Sequence, residues 1–165
     1  MPHAGRHRQK SSPQTTRLAH EYKVVRVRAC PLPSSRPACE NARDAVHYWR
    51  KHIASAEWYS PDKENLVVIM LDNRRQIKGH YIVTIGTLDT GLVHAREVFR
   101  PALIGACSGI IIGHNHPTGN PTPSPDDVQL TRQLVQAGEI LQIPLLDHIV
   151  IGHHHHVSLK DLGHL

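Results

Sequence analysis

The stretch GHNHPTGNPTPSPDD, Gly113 to Asp127, places two histidines two residues apart at the end of an apolar run. Side chains on a strand alternate between its faces, so His114 and His116 point one way and Asn115 the other. Two imidazoles on one face, where a strand ends, can both reach a single metal ion about 2 Å away. The far end of the stretch has a plainer reading. Ser-Pro-Asp-Asp is a good helix start, with Ser124 as N-cap, Pro125 in the first position and acids in the first turn. Ser124 and Asp127 also fit the spacing of a capping box. A cap alone does not explain the loop. Pro117, Pro121, Pro123 and Pro125 stiffen the ten residues between His116 and Asp127, and Gly119 supplies the one flexible turn. Such a loop fixes Asp127 relative to the histidines. Two histidines and a carboxylate are three protein ligands with a fourth position left over, the pattern of a catalytic zinc site rather than a closed structural one.

Working outward, SGIIIGHNH (108–116) reads as a buried strand that delivers the histidines. Ser124 to Ile140 reads as a helix with Val128, Thr131, Leu134 and Val135 on its inner face. PLLDHIVIG (144–152) is a second buried strand, and the remainder is a polar end. Upstream, Ala42, Ala45, Val46, Trp49, Ile53 and Ala56 recur at three- and four-residue steps and predict a helix, with Arg43, Arg50 and Lys51 on its wet side. NLVVIMLD (65–72), a turn at Asn73-Arg74 and QIKGHYIVTIGT (76–87) predict a hairpin. HAREVFRPALIGA (94–106) has helical spacing, and Pro101 within it either kinks the helix or marks a later start. The order helix, two strands, helix, strand, helix, strand predicts an α/β domain with a mixed sheet sandwiched by helices.

The chain has 165 residues, enough for one domain with a sizeable core, and carries a net charge of +5 with its histidines neutral. Much of that charge lies in residues 1–40, read as a basic, largely flexible arm with a possible short strand at Tyr22–Ala29. The arm could touch nucleic acid weakly through counterion release, although such tails are more often simply solvated. No apolar run has the length of a membrane span, and the start lacks the apolar core of a signal peptide, so a soluble cytoplasmic protein is expected. Three cysteines, Cys30, Cys39 and Cys107, cannot all pair and form no Cys-x-x-Cys, which argues against a disulfide framework or a cysteine zinc site.

The spacing His-x-His, seven residues beginning with proline, Ser, two residues and Asp resembles the JAMM motif of JAB/MPN metalloprotease domains. The wording HNHPTGNPTPSPDD, VHAREVF, GTL and LLDHIVIG is similar to the RadC family within that group, over about residues 41–165. The resemblance implies a cytidine-deaminase-like α/β/α sandwich, with zinc held by His114, His116 and Asp127 and Ser124 steadying the oxyanion. It also implies a glutamate beside the zinc-held water, at the head of the first core strand. Glu64 occupies that place, and Glu97 in REVF is the rival general base. The implied activity is that of a metallopeptidase or isopeptidase acting on a peptide or protein substrate. The alternatives are a DNA-associated accessory protein with a structural zinc, or a metal-dependent nuclease. Ala95 stands where the family's HPREVF pattern has proline, which touches a helix start rather than the chemistry.

Two other features invite over-reading. His153–His156 is a run of four histidines, expected to be an exposed loop rather than a metal site. Asp147-His148 could relay protons but reads more simply as filling a strand end.

Overall fold

A computed structural model describes residues 36–86 and 93–165. The strand expected at Tyr22–Ala29, Cys30 and most of the basic arm lie outside the described residues.

Helix α1 (Ala42–Tyr48) begins at Asn41, whose side chain accepts the Asp44 N–H at 3.1 Å. It runs on through a π-type turn, Trp49–Ile53, with the Ala54 N–H on the Trp49 carbonyl. The expected apolar face reached Ala56. The helix stops short of it, and Ala56 turns back onto the Ile53 carbonyl. The hairpin forms as expected. Strand β1 (Glu64–Leu71) pairs antiparallel with β2 (Ile77–Gly86). Asp72 closes the turn by accepting the N–H groups of Arg74 and Gln76. Cys39 and Pro37 bond to this turn, at Arg75 and Ile77 respectively.

Helix α2 (Ala95–Ile104) starts at His94, so Pro101 neither delays nor ends it. Strand β3 (Gly109–Asn115) is buried along its whole length. Helix α3 (Pro125–Leu141) is capped by Ser124. Its inner face differs from the expected one. Asp127, Leu130, Thr131, Leu134 and Gly138 are buried, while Val128 and Val135 are half-buried flanks. Thr131 and Leu134 are buried as expected, and the helix is rotated enough to bring the polar Asp127 inward in place of Val128, which an apolar count alone does not anticipate.

Strand β4 (Leu145–Ile151) runs parallel to β3, and β5 (His156–Ser158) returns antiparallel beside it. The short β5 falls in the segment expected to be merely a polar end. The sheet order is β2-β1-β3-β4-β5. Alternation divides the core between the two faces. Leu66, Val68, Ile110 and Ile112 pack with Phe99 of α2 and with Leu130 and Leu134 of α3. Val67, Ile69, Ile111 and Ile149 pack with Trp49 and Ile53 on the α1 side. Each such fully buried side chain is worth about 1.5–3 kcal/mol relative to exposure. The protein is thus a mixed sheet between two helical layers, as expected. Gly113 lets Trp49 lie directly on β3: a Cβ there would stand 3.2 Å from the indole.

Candidate metal centre

His114 is the last but one residue of β3 and faces α3, in register with Leu66 of β1. Asn115 faces the other way, as alternation requires. It bonds Asn65 and the Lys63 carbonyl, which pins the entry to β1. His116 lies just past the strand. Its backbone N–H reaches the Ile151 carbonyl at 3.0 Å, so β4 steers it although it has left the sheet. The loop then turns at Gly119, whose φ is +78° and whose N–H returns to the His116 carbonyl. That positive φ favours glycine, and a Cβ on Gly119 would also run into the His153 ring.

The loop ends at the N-terminus of α3, where a capping box holds Asp127. Its Oδ2 accepts from the Ser124 N–H and hydroxyl, each at 2.7 Å, and the Asp127 N–H donates back to Ser124 Oγ at 3.1 Å. With Oδ2 so occupied, Oδ1 is turned to His114 Nε2, 3.3 Å away. His116 Nε2 lies 3.6 Å from the other oxygen, Oδ2, and 3.0 Å from His114 Nε2. One ligand atom from each of the three residues lies within 4.8 Å of the others.

Hydrogen bonding dictates which nitrogens carry protons. His116 Nδ1 is 2.7 Å from the Asn120 carbonyl, which can only accept, so Nδ1 donates and Nε2 of the neutral ring keeps its lone pair. Thr131 donates its one hydroxyl proton to the Asp127 carbonyl at 2.6 Å. Its oxygen must therefore accept from His148 Nδ1, also at 2.6 Å. His148 Nε2 is then an acceptor, and His114 Nδ1 donates to it at 2.9 Å. The Nε2 atoms of His114 and His116 are left bare and facing each other. Burial pushes the His114 pKa down to about 4, only partly countered by Asp127, and burial also holds His148 well below the ordinary imidazole value. At neutral pH His114 therefore presents a lone pair rather than a proton. Two opposed lone pairs and a carboxylate oxygen are a poor arrangement alone and a good one around a cation. Ligands 2.0–2.1 Å from a tetrahedral zinc stand about 3.3 Å apart, close to the separations seen here, so the donor set fits the ion.

Glu64 opens β1, half-buried, two residues before Leu66 and so on the face that carries His114. Glu97 sits in the first turn of α2 with its carboxylate 2.7 Å from Arg100 and 3.3 Å from Arg96. Ser124 is the helix cap and bonds Asp127, and the neighbouring Asp126 is exposed. Of the histidine run, His153–His155 are exposed. His154, His155 and His156 line a groove of about 370 Å³ with Arg43, Val46, His47 and Arg50. Asp147 and His148 are in the middle of β4 rather than at its end, on opposite faces. Asp147 accepts from Ser158 on one side, while His148 supports His114 on the other. His148, expected to fill a strand end, and Thr131, expected only as an inner-face residue, instead support the site, a role that sequence reading did not assign them. The available signal was a histidine inside the apolar run LLDHIVIG, since a buried polar group needs a partner.

Among the described residues, no helix is long and apolar enough to cross a membrane. Residues 39–164 match the family described as RadC-like JAB domain. A UPF0758 protein of Bacillus cereus strain G9842 is 46% identical over 103 residues, covering 62% of this chain and 46% of that protein. A UPF0758 protein of Methanosarcina acetivorans is 46% identical over 101 residues, covering 61% and 44%. Another from Caldanaerobacter subterraneus is 47% identical over 102 residues, covering 62% and 44%. The matched segment is less than half the length of these relatives, and their names state no activity.

Proposed function

Since the chain belongs to the family of RadC-like JAB domains, we propose that it is a zinc-dependent hydrolase of peptide or isopeptide bonds. The observation that supports this most is the convergence of two bare imidazole nitrogens and one carboxylate oxygen. Three protein donors suit a catalytic zinc, whereas a structural zinc normally takes four. When bound, zinc supplies Lewis acidity that brings the ionisation of a water towards neutral pH and polarises a carbonyl.

His114, His116 and Asp127 hold the ion. All three spend their donor atoms on it, so the attacking water needs another base. Glu64 takes that proton and returns it to the leaving amine. Its place on the His114 face at the head of β1 supports the assignment, and the two arginines on Glu97 weigh against the rival. Ser124 has one hydroxyl proton, donated here to Asp127. Steadying the substrate oxygen would require that hydroxyl to turn away during the reaction, so its standing role is to hold Asp127.

The test is to incubate the zinc-loaded chain with a peptide library and with isopeptide-linked conjugates, beside Glu64→Gln. We expect the variant to keep its zinc and to lose a hundredfold or more in cleavage rate. Cleavage by Glu64→Gln at the unsubstituted rate would remove Glu64 as the base. Absence of any cleavage by the zinc-loaded chain would count against the hydrolase reading.

A further inference from the structure

We propose that His148 and Thr131 are positioning residues that tie two metal ligands into one unit. The inference rests on the metal centre argued above. The ties form a continuous chain. His114 Nδ1 donates to His148 Nε2 at 2.9 Å, His148 Nδ1 donates to Thr131 Oγ1 at 2.6 Å, and Thr131 donates to the Asp127 carbonyl at 2.6 Å. Each of the three protons is used once, and no donor meets a donor. The chain joins β3, β4 and α3, and starts and ends on residues that bear ligand atoms.

Its members are shut away from water. His114, His148 and Thr131 have no exposed surface, and Asp127 is 3% exposed. In such surroundings a hydrogen bond is strong and its loss is costly. Two consequences follow for the ion. The bridge fixes the tautomer of His114 with its bare nitrogen towards Asp127, removing the form in which a proton would block the metal. It also couples the first turn of α3, and hence the Asp127 carboxylate, to the sheet that carries His114. Thr131 suits the task because it lies one helical turn after Asp127, where a hydroxyl reaches the i−4 carbonyl while its oxygen faces β4. His148 meets an acceptor at Nδ1 and a donor at Nε2, which is the pairing that one neutral tautomer requires.

The experiment compares Thr131→Val, Thr131→Ser and His148→Leu in the full chain, measuring zinc affinity by chelator competition at neutral pH. Each variant is first shown to be folded at the assay temperature by near-ultraviolet circular dichroism. Valine keeps the shape of threonine without the hydroxyl, and serine keeps the hydroxyl. We expect Thr131→Val and His148→Leu to bind zinc about 10–100-fold more weakly, with Thr131→Ser within about threefold of the original. A chain carrying both Thr131→Val and His148→Leu should bind zinc no more weakly than His148→Leu alone, because both changes cut one chain. Long-range proton–nitrogen spectra of the metal-free protein should show Nδ1–H on both His114 and His148. Folded Thr131→Val and His148→Leu proteins with unaltered zinc affinity would overturn the proposal, as would Nε2–H on His114. An unsubstituted chain that takes up no zinc would instead remove the metal centre, and the bridge with it.

Discussion

The chain holds two groups of histidines at the same end of its sheet, and they differ in everything except residue type. His114, His116 and His148 come from two neighbouring strands and the loop that follows one of them. The rings of His114 and His116 meet Asp127, His148 backs His114, and the fold supplies a partner for each far-side nitrogen. His153–His156 are consecutive, link β4 to β5, and are mostly exposed. Their neighbours in the groove are Arg43, His47 and Arg50, with no carboxylate among the lining residues. The richer cluster in sequence is thus the poorer metal site. Strand alternation, burial and a capped carboxylate make donors converge; mere repetition of histidine does not.

The largest stability difference should separate these groups. His114→Ala removes a fully buried ring and orphans His148, and should cost about 3 kcal/mol in urea unfolding of the metal-free protein. His155→Ala should change stability by less than about 0.5 kcal/mol. Equal costs would break the contrast between the two groups.

Acid should act through the buried group next. The unfolded chain takes up imidazole protons near pH 6.5, while burial delays uptake by folded His114 to about pH 4 and depresses His148 as well. Between those limits the unfolded state binds more protons, so stability falls as pH drops through that window. Asp147, raised by burial, works in the opposite sense just above the ordinary carboxylate value. Urea unfolding of the metal-free protein at pH 7.5, 6 and 5 should show a steady loss. A flat profile would mean that the buried rings charge as easily as exposed ones.

The smallest effect concerns the cap. Ser124→Ala removes the hydroxyl that both caps α3 and bonds Asp127, and should lower stability by about 1 kcal/mol. Thermal melting checks this, and an unchanged midpoint would leave the capping box without energetic weight.

Much of this arrangement is legible in local sequence. Alternation alone separates His114 from Asn115, and Ser124-x-x-Asp127 announces a capping box that is found intact. The hairpin follows from two β-branched runs around Asp72 and its turn. What is not legible depends on contacts distant in the chain. His148 meets His114 only because β4 lies parallel beside β3, a pairing that no local pattern specifies. The inward turn of Asp127 at the start of α3 depends on its meeting His114 across the layer, again a contact distant in the chain. Strand β5 is too short for a periodic signal and exists through its pairing with Ile149–Ile151.

The most direct test of the account is zinc stoichiometry in three proteins: the unsubstituted chain, Asp127→Ala, and a chain with His153–His156 all replaced by serine. Elemental analysis after equilibration with limiting free zinc should find about one ion per chain in the first and third, and almost none in Asp127→Ala. Full zinc in Asp127→Ala, with loss from the serine-substituted chain, would move the metal centre to the exposed run and contradict the account.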